Sequence, residues 1–283
     1  MKKDVLKEIV AKKKEKLALA KLAVPEDTLK AGLQNAGPAR PFLSAIAKPK
    51  VISLIAEIKK ASPSQGLLRG DDFNPALIAA AYKDAGVQAI SVLTEEDYFC
   101  GSLAYLQEVK NVTTCPILRK DFILEPYQIY ESRVHGADAV LLIADLLTKD
   151  ELVSMLQLAY SLGMEALVEV HSEKELKKVL NLKVPVLAHA QGPDAKPKKR
   201  PDSVAFALGI NNRNLHTLEV DFKTTETLYP LIPKDTLVVV ESGIRSYQDV
   251  LFLKILGVSA LLIGQTFMAA PDIRRKVEEV MGW

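Results

Sequence analysis

Residues 51–66 read V-I-S-L-I-A-E-I-K-K-A-S-P-S-Q-G, and the change of character along them decides how the chain is laid out. The run 51–58 is apolar enough for a strand buried on both faces, as in a parallel sheet. Its end is charged. Glu57 and Lys59 lie two residues apart, so the alternation of strand side chains points both the same way. A charged pair closing an apolar strand is costly unless it meets something polar there. Ser62, Pro63, Ser64, Gln65 and Gly66 then form a loop, so this strand end reads as the edge of a site.

Outward from that stretch the same unit recurs. Short apolar runs at 89–93, 116–118, 139–143, 166–170, 204–210, 237–240 and 260–263 follow in turn. Helical patterns stand after them or between them, at 75–84, 103–109, 127–135, 149–162, 173–180, 223–231, 247–256 and 273–280. Asn74 before Pro75, Thr148 before Lys149-Asp150-Glu151 and Ser246 before Tyr247 are N-terminal caps. Gly86, Gly136, Gly163 and Gly257 stand between a helix and the next strand, where a helix end favours glycine. Eight strands alternating with eight helices is the pattern of a closed barrel, and 283 residues suit one such domain. An open doubly wound sheet would carry a G-x-G-x-x-G turn after its first strand, and the sequence has none there. The expected fold is therefore α/β: a (β/α)8 TIM barrel over 49–283, with an N-terminal helical extension, 1–48, packed on it.

The extension opens with an amphipathic helix expected from about residue 4 to 22, apolar at Val5, Leu6, Ile9 and Val10, and ended by Pro25. Its run Lys12-Lys13-Lys14-Glu15-Lys16 is read as a solvated face rather than as a membrane-binding one. A net charge of +2 without a basic, aromatic-interleaved stripe gives no reason to expect nucleic acid. Composition, 48% hydrophobic and 25% charged, is that of a globular chain with a sizeable core. No apolar run approaches a membrane span, and no apolar stretch follows the basic start as in a secretory signal. Two cysteines, Cys100 and Cys115, without a C-x-x-C pair, fit a reduced, cytoplasmic chain. The histidines His135, His189 and His216 are scattered, and no metal or other cofactor is expected. His171 is read as facing away from Glu169, toward the helices.

In such a barrel the chemistry sits at the carboxyl ends of the strands. The first ends in Glu57 and Lys59, and the third in Arg119-Lys120-Asp121. In the fifth, Glu169 stands between Val168 and Val170, which places the valines outward and the carboxylate inward. The sixth runs into Asn211 and Arg213, the seventh into Glu241-Ser242-Gly243, the eighth into Gly264-Gln265. So many polar groups on one rim need partners or a ligand. Lysines and Arg213 suit an anionic substrate. Glu57 and Glu169 offer bases, and a lysine whose pKa is lowered by its neighbours can serve as an acid. The small residues at strands seven and eight suit a phosphate held by backbone N–H groups. Proton transfer or condensation on a sugar phosphate is the class these groups fit.

Read in order, A-E-I-K-K-A-S-P-S, S-V-L-T-E, L-R-K-D-F-I, V-E-V-H, G-I-N-N-R-N-L, E-S-G-I and L-I-G resemble the indole-3-glycerol-phosphate synthase family, over about residues 52–268. The resemblance implies a lyase of tryptophan biosynthesis acting on 1-(2-carboxyphenylamino)-1-deoxyribulose 5-phosphate. That substrate would lose carbon dioxide and water as the indole ring closes. It implies Lys120 as the general acid at the ribulose carbonyl and Glu169 as the base of the dehydration. Lys59 would meet the substrate's anionic ends, Glu57 would hold Lys59, and Asn211 with Arg213 would position the anthranilate end. Glu241 and Ser242 would complete the rim, with Gly243, Gly264 and Gln265 at the phosphate. Phe122, Leu141, Ile143 and Phe99 would pack on the aromatic ring; the loop 62–66, beginning at Ser62, is itself read as a lid over the bound phosphate ester. The expected partner is the phosphorylated small molecule alone, with a monomeric chain and contacts to other tryptophan-pathway enzymes left open.

Two stretches depart from the family pattern. Residues 188–203, rich in Pro and basic residues, are longer than this connection usually is and are read as an inserted loop on the bottom face, away from the chemistry. Gln265 stands where a small hydroxyl residue is common, with Thr266 offering a hydroxyl nearby. Two rival readings remain at this stage. A phosphoribosylanthranilate isomerase on the same fold would place a Cys at the first strand end and an Asp at the sixth, where this chain has Glu57/Lys59 and Asn211. A non-catalytic barrel that binds a phosphate ligand would have no use for Lys120 and Glu169.

Overall fold

A computed structural model of the chain describes residues 4–48, 50–182 and 206–283. Eight strands close into a parallel barrel: Ser53–Ile58, Ala89–Leu93, Ile117–Lys120, Ala139–Ile143, Glu165–Val170, Phe206–Asn211, Val238–Glu241 and Ala260–Ile263. Each pairs with the next in sequence, and the eighth returns to the first through Ser53↔Ala260 to Ala56↔Ile263. Helices between the strands form the outer ring, so the expected (β/α)8 barrel is the observed architecture. The inserted loop read at 188–203 lies outside the described residues, as does the expected start of the sixth strand.

Strand alternation splits the apolar residues into two cores. Leu54, Ala56, Val168, Val170, Leu208 and Ile210 face outward onto the helices. Ile55, Leu118, Leu141, Leu167 and Val239 face inward, interleaved with the small Ala89, Ala139, Ala207 and Ala260 that let a barrel interior fill without voids. Val168 and Val170 thus point away from the interior while Glu169, wholly buried, points into it.

The extension touches the barrel at both ends. Below, the short helix Phe42–Ile46 buries Phe42 and Ile46 completely among the inward-facing residues. It is anchored by the N–H of Leu43 donating to Glu165 Oε2 at 2.6 Å and that of Arg40 to Asp138 Oδ1 at 2.7 Å. Above, helix Val5–Ala23 crosses the rim, with Leu6 and Ile9 in the same cluster as Phe122. Its lysines are more than a solvated face. Lys13 Nζ reaches Asp121 Oδ1 at 2.7 Å, and Lys16 reaches Glu96 at 2.7 Å and Asp97 at 3.0 Å. The basic run is therefore partly a docking face, matched to acids after the second and third strands. Only such tertiary pairing distinguishes Lys13 from Lys14, which is exposed.

The first helix ends just before Pro25, as expected, and a second helix follows it. Val24 caps the first, and Pro25 is the N-cap of Glu26–Gly32. The helix expected at 223–231 changes at Tyr229 from α (Lys223–Leu228) to a 3-10 turn (Tyr229–Leu231), because Pro230 has no N–H to continue the α ladder. Two small elements at the carboxyl ends of barrel strands had no periodic signal: a hairpin pairing Ala61–Ser62 with Gly66–Leu67, and helix Gln265–Met268 directly after the eighth strand. Among the described residues, no helix is long and apolar enough to cross a membrane.

Candidate active site

The carboxyl ends of the strands open onto one cavity of about 390 Å³, a size suited to a small organic ligand. Glu57, Lys59, Phe99, Lys120, Phe122, Leu141, Ile143 and Glu169 line it, with Asn211, Arg213, Glu241, Ser242, Gly243, Gly264 and Gln265. Ser62 lies in a smaller adjoining recess, with Pro63 and Ser64 on one side and Ile9 of the N-terminal helix on another. Lys59, Phe99, Phe122, Arg213 and Gln265 border both spaces, so the hairpin and the N-terminal helix overlook the mouth of the cavity. Arg119 is elsewhere: it alternates outward and is buried against Asp121, Glu131 and Ser132.

At the centre stands Lys120, the last residue of the third strand. Its Nζ lies 2.8 Å from Glu169 Oε2 and 3.2 Å from Glu241 Oε2. Asn211 Nδ2 donates to Glu169 Oε1 at 3.1 Å, and Lys59 pairs with Glu57 as their shared face predicts. Burial works against the Lys120 ammonium, but Glu169, Glu241 and Glu57 outweigh it and hold its pKa well above the ordinary lysine value. The expectation of a lowered pKa is thus reversed, because carboxylates and not cations surround this amine. Burial would also raise Glu169, but Lys120 and His171 pull its carboxyl well below the usual range. Glu241 goes the other way. Burial and the charge of Glu169 push it up to about 8, against the opposing pull of Lys120.

Glycines make room for these carboxylates. A Cβ on Gly209 in the sixth strand would stand 2.6 Å from Glu241 Oε1, and one on Gly264 would collide with the Glu57 side chain. At the seventh strand end the backbone turns left-handed at Ser242 (φ 65°) and Gly243 (φ 85°), bending it round the cavity wall. The rings of Phe99 and Phe122, which also line the cavity, lie 6.2 Å apart. Glu95, buried after the second strand, holds the loop carrying Phe99 by accepting the N–H groups of Asp97, Tyr98 and Phe99.

Arg213 donates to Leu218 O at 2.9 Å and to Gln265 Oε1 at 3.3 Å, so the Gln265 side chain steadies a cation. The Thr266 hydroxyl donates to Ile244 O at 2.7 Å. Arg245 also lines the cavity and was missed from sequence, although it directly follows E-S-G-I at the expected phosphate end. His171 was misplaced. Positions 169 and 171 share a parity, and His171 Nε2 lies 3.0 Å from Glu169 Oε1 instead of facing away. His135 and His216 bind backbone and aspartates, His189 lies outside the described residues, and no group suited to a metal ion occurs among the described residues.

The family model of indole-3-glycerol phosphate synthase matches residues 6–188 and 203–280. The chain belongs to the indole-3-glycerol phosphate synthase family. An indole-3-glycerol phosphate synthase of Alkaliphilus metalliredigens is 42% identical over 276 residues, covering 98% of this chain and 97% of that protein. One of Acetivibrio thermocellus is 44% identical over 277 residues, covering 97% and 98%. The family match parts between 188 and 203, the segment read in sequence as an inserted loop. Among solved structures, 3-hexulose-6-phosphate synthase of Salmonella typhimurium superposes with a TM-score of 0.60 at 12% identity, covering 82% of this chain and 97% of that one. The tryptophan synthase alpha-subunit of Pyrococcus furiosus, as a mutant, gives 0.57 at 14% identity, covering 82% and 98%. Those two show that the barrel is shared beyond the synthase family.

Proposed function

We propose that the cavity carries out the indole-3-glycerol-phosphate synthase reaction on 1-(2-carboxyphenylamino)-1-deoxyribulose 5-phosphate, with Lys120 as acid and Glu169 as base. The observation that carries this reading is the Lys120 ammonium held between two buried carboxyl groups, those of Glu169 and Glu241, beside Phe99 and Phe122. Its raised pKa keeps the acid loaded at neutral pH. Lys120 donates its proton to the ribulose carbonyl oxygen while the ring carbon bearing the carboxylate attacks the carbonyl carbon. The carboxylate leaves as carbon dioxide, and its bonding electrons restore the aromatic ring. The new hydroxyl then takes up a proton from solvent and departs as water, and Glu169, anionic in the resting site, takes the proton released as the second double bond forms.

The remaining roles follow from position. Lys59, held by Glu57, meets a substrate anion at the mouth of the cavity. Asn211 fixes the Glu169 carboxylate and, with Arg213, positions the anthranilate end. Phe99, Phe122, Leu141 and Ile143 pack against its ring. Ser242, Gly243, Gly264 and Gln265 cradle the phosphate through backbone N–H groups, and Arg245 adds charge there. Since Gln265 bonds Arg213 and Thr266 bonds a carbonyl, main-chain donors suffice for this role. The chain is proposed to act as a cytoplasmic monomer. Pure protein incubated with the substrate should develop indole fluorescence; no signal at micromolar enzyme would overturn the assignment.

A further inference from the structure

His171 has no part in the chemistry above, yet it touches the base. Its Nε2 is 3.0 Å from Glu169 Oε1, and its Nδ1 is 3.2 Å from Glu175 Oε2. The His171 backbone N–H donates to that same Glu175 oxygen at 2.8 Å. Glu175 is itself fixed in the first turn of helix Glu173–Leu180. Its other oxygen accepts the Ser172 hydroxyl at 2.6 Å, and its N–H donates to Ser172 Oγ at 3.3 Å. The ring is therefore strapped between a carboxylate inside the barrel and one at a helix start, with 11% of its side chain exposed. Nε2 has no aligned hydrogen-bond acceptor, so its contact with Glu169 acts through charge.

Resting on the reading of Glu169 as the dehydration base, we propose that His171 is a positioning residue: as an imidazolium anchored by Glu175, it orients the Glu169 carboxylate and keeps it anionic. The reaction order gives this cation its use. Once Lys120 has passed its proton to the carbonyl oxygen, Glu169 loses the positive charge 2.8 Å away. His171 is then the cation still in contact with it. Burial opposes the imidazolium, but the contacts with Glu169 and Glu175 prevail and raise its pKa to about 10. A neutral ring carries one N–H and would turn a lone pair toward one of the two carboxylates. The charged groups around it are Glu169 on the fifth strand and Glu175 on the following helix, with Lys120 and Glu241 behind Glu169. Lys178 of the same helix is turned aside to the carbonyls of Ala144 and Leu147.

Two measurements test this. In the intact protein, an NMR titration of the imidazole resonances, assigned by loss of a signal in His171→Gln, should show His171 charged up to about pH 8. A ring titrating near the ordinary value of about 6.5 overturns the proposal whether or not the protein turns over. In kinetics, His171→Gln should lower kcat, leave KM within about threefold, and raise the acid limb of the kcat–pH profile by about one unit. Glu175→Gln should move that limb the same way. An unmoved limb in both variants also overturns the proposal. A wild-type protein without synthase activity would instead sink the reading of Glu169, while the titration still reports on the clamp.

Discussion

Lys120 and Glu241 show how little a side chain's type says about its state. The lysine lies between the carboxyl groups of Glu169 and Glu241 and stays protonated, while Glu241, the more deeply buried of the two, is pushed up to about 8. Lys120→Ala should abolish turnover while a product-like ligand still binds, seen as loss of kcat with a dissociation constant changed only a few-fold. Equal loss of both would make Lys120 a binding or structural residue. Glu241 should also mark the stability curve. Its carboxyl binds a proton more tightly folded than unfolded, so ionising it, as pH rises from 4.5 toward about 8, works against folding. Glu241→Gln should therefore raise the Tm more at about pH 8 than at about pH 5. At Gly209 the prediction is steric: Gly209→Ala places a methyl against Glu241 and Leu167 and should cost about 1–3 kcal/mol in chemical denaturation. Gly209 was visible in sequence within the apolar run 204–210, but the carboxyl group it accommodates comes from the seventh strand.

At the scale of elements, the barrel strands were legible because their apolar runs are short, regular and bounded by caps and glycines. The runs at 89–93, 139–143 and 260–263 match observed strands to the residue, as do the helices at 75–84, 173–180 and 247–256. The hairpin Ala61–Ser62/Gly66–Leu67 and the helix Gln265–Met268 were not, because each is too short to show a period. The hairpin loop is proposed as a lid, since Ser62, Pro63 and Ser64 border the recess joined to the cavity mouth. Limited proteolysis should cut at 62–66 in the free protein and be slowed by product; unchanged cleavage would remove the lid from the account. The N-terminal helix gives a second test. Lys13→Ala strips a charge-assisted bond from the buried Asp121 and should cost about 1–3 kcal/mol, whereas Lys14→Ala, on the exposed face, should cost almost nothing.

For the whole molecule, buried acids set the response to pH. Burial would raise the carboxyls of Asp121 and Glu169, but cations prevail (Arg119 and Lys13 for the first, Lys120 and His171 for the second), and both lie well below their ordinary values. They bind fewer protons folded than unfolded, so their stabilisation is complete above about pH 5 and is lost as pH falls through their folded values. Urea midpoints should drop steeply below about pH 4, and less steeply in Asp121→Asn. The chain by itself determined the barrel, the rim on which the chemistry gathers, and the family, because strand periodicity and strand-end motifs are local and survive without a partner. The tertiary structure alone decided which groups touch: Lys120 with Glu169 and Glu241, Lys13 with Asp121, and His171 with Glu169. It also decided their charge states. Distance and dielectric govern both, and they depend on residues far apart in the sequence that closing the barrel brings within a few ångströms.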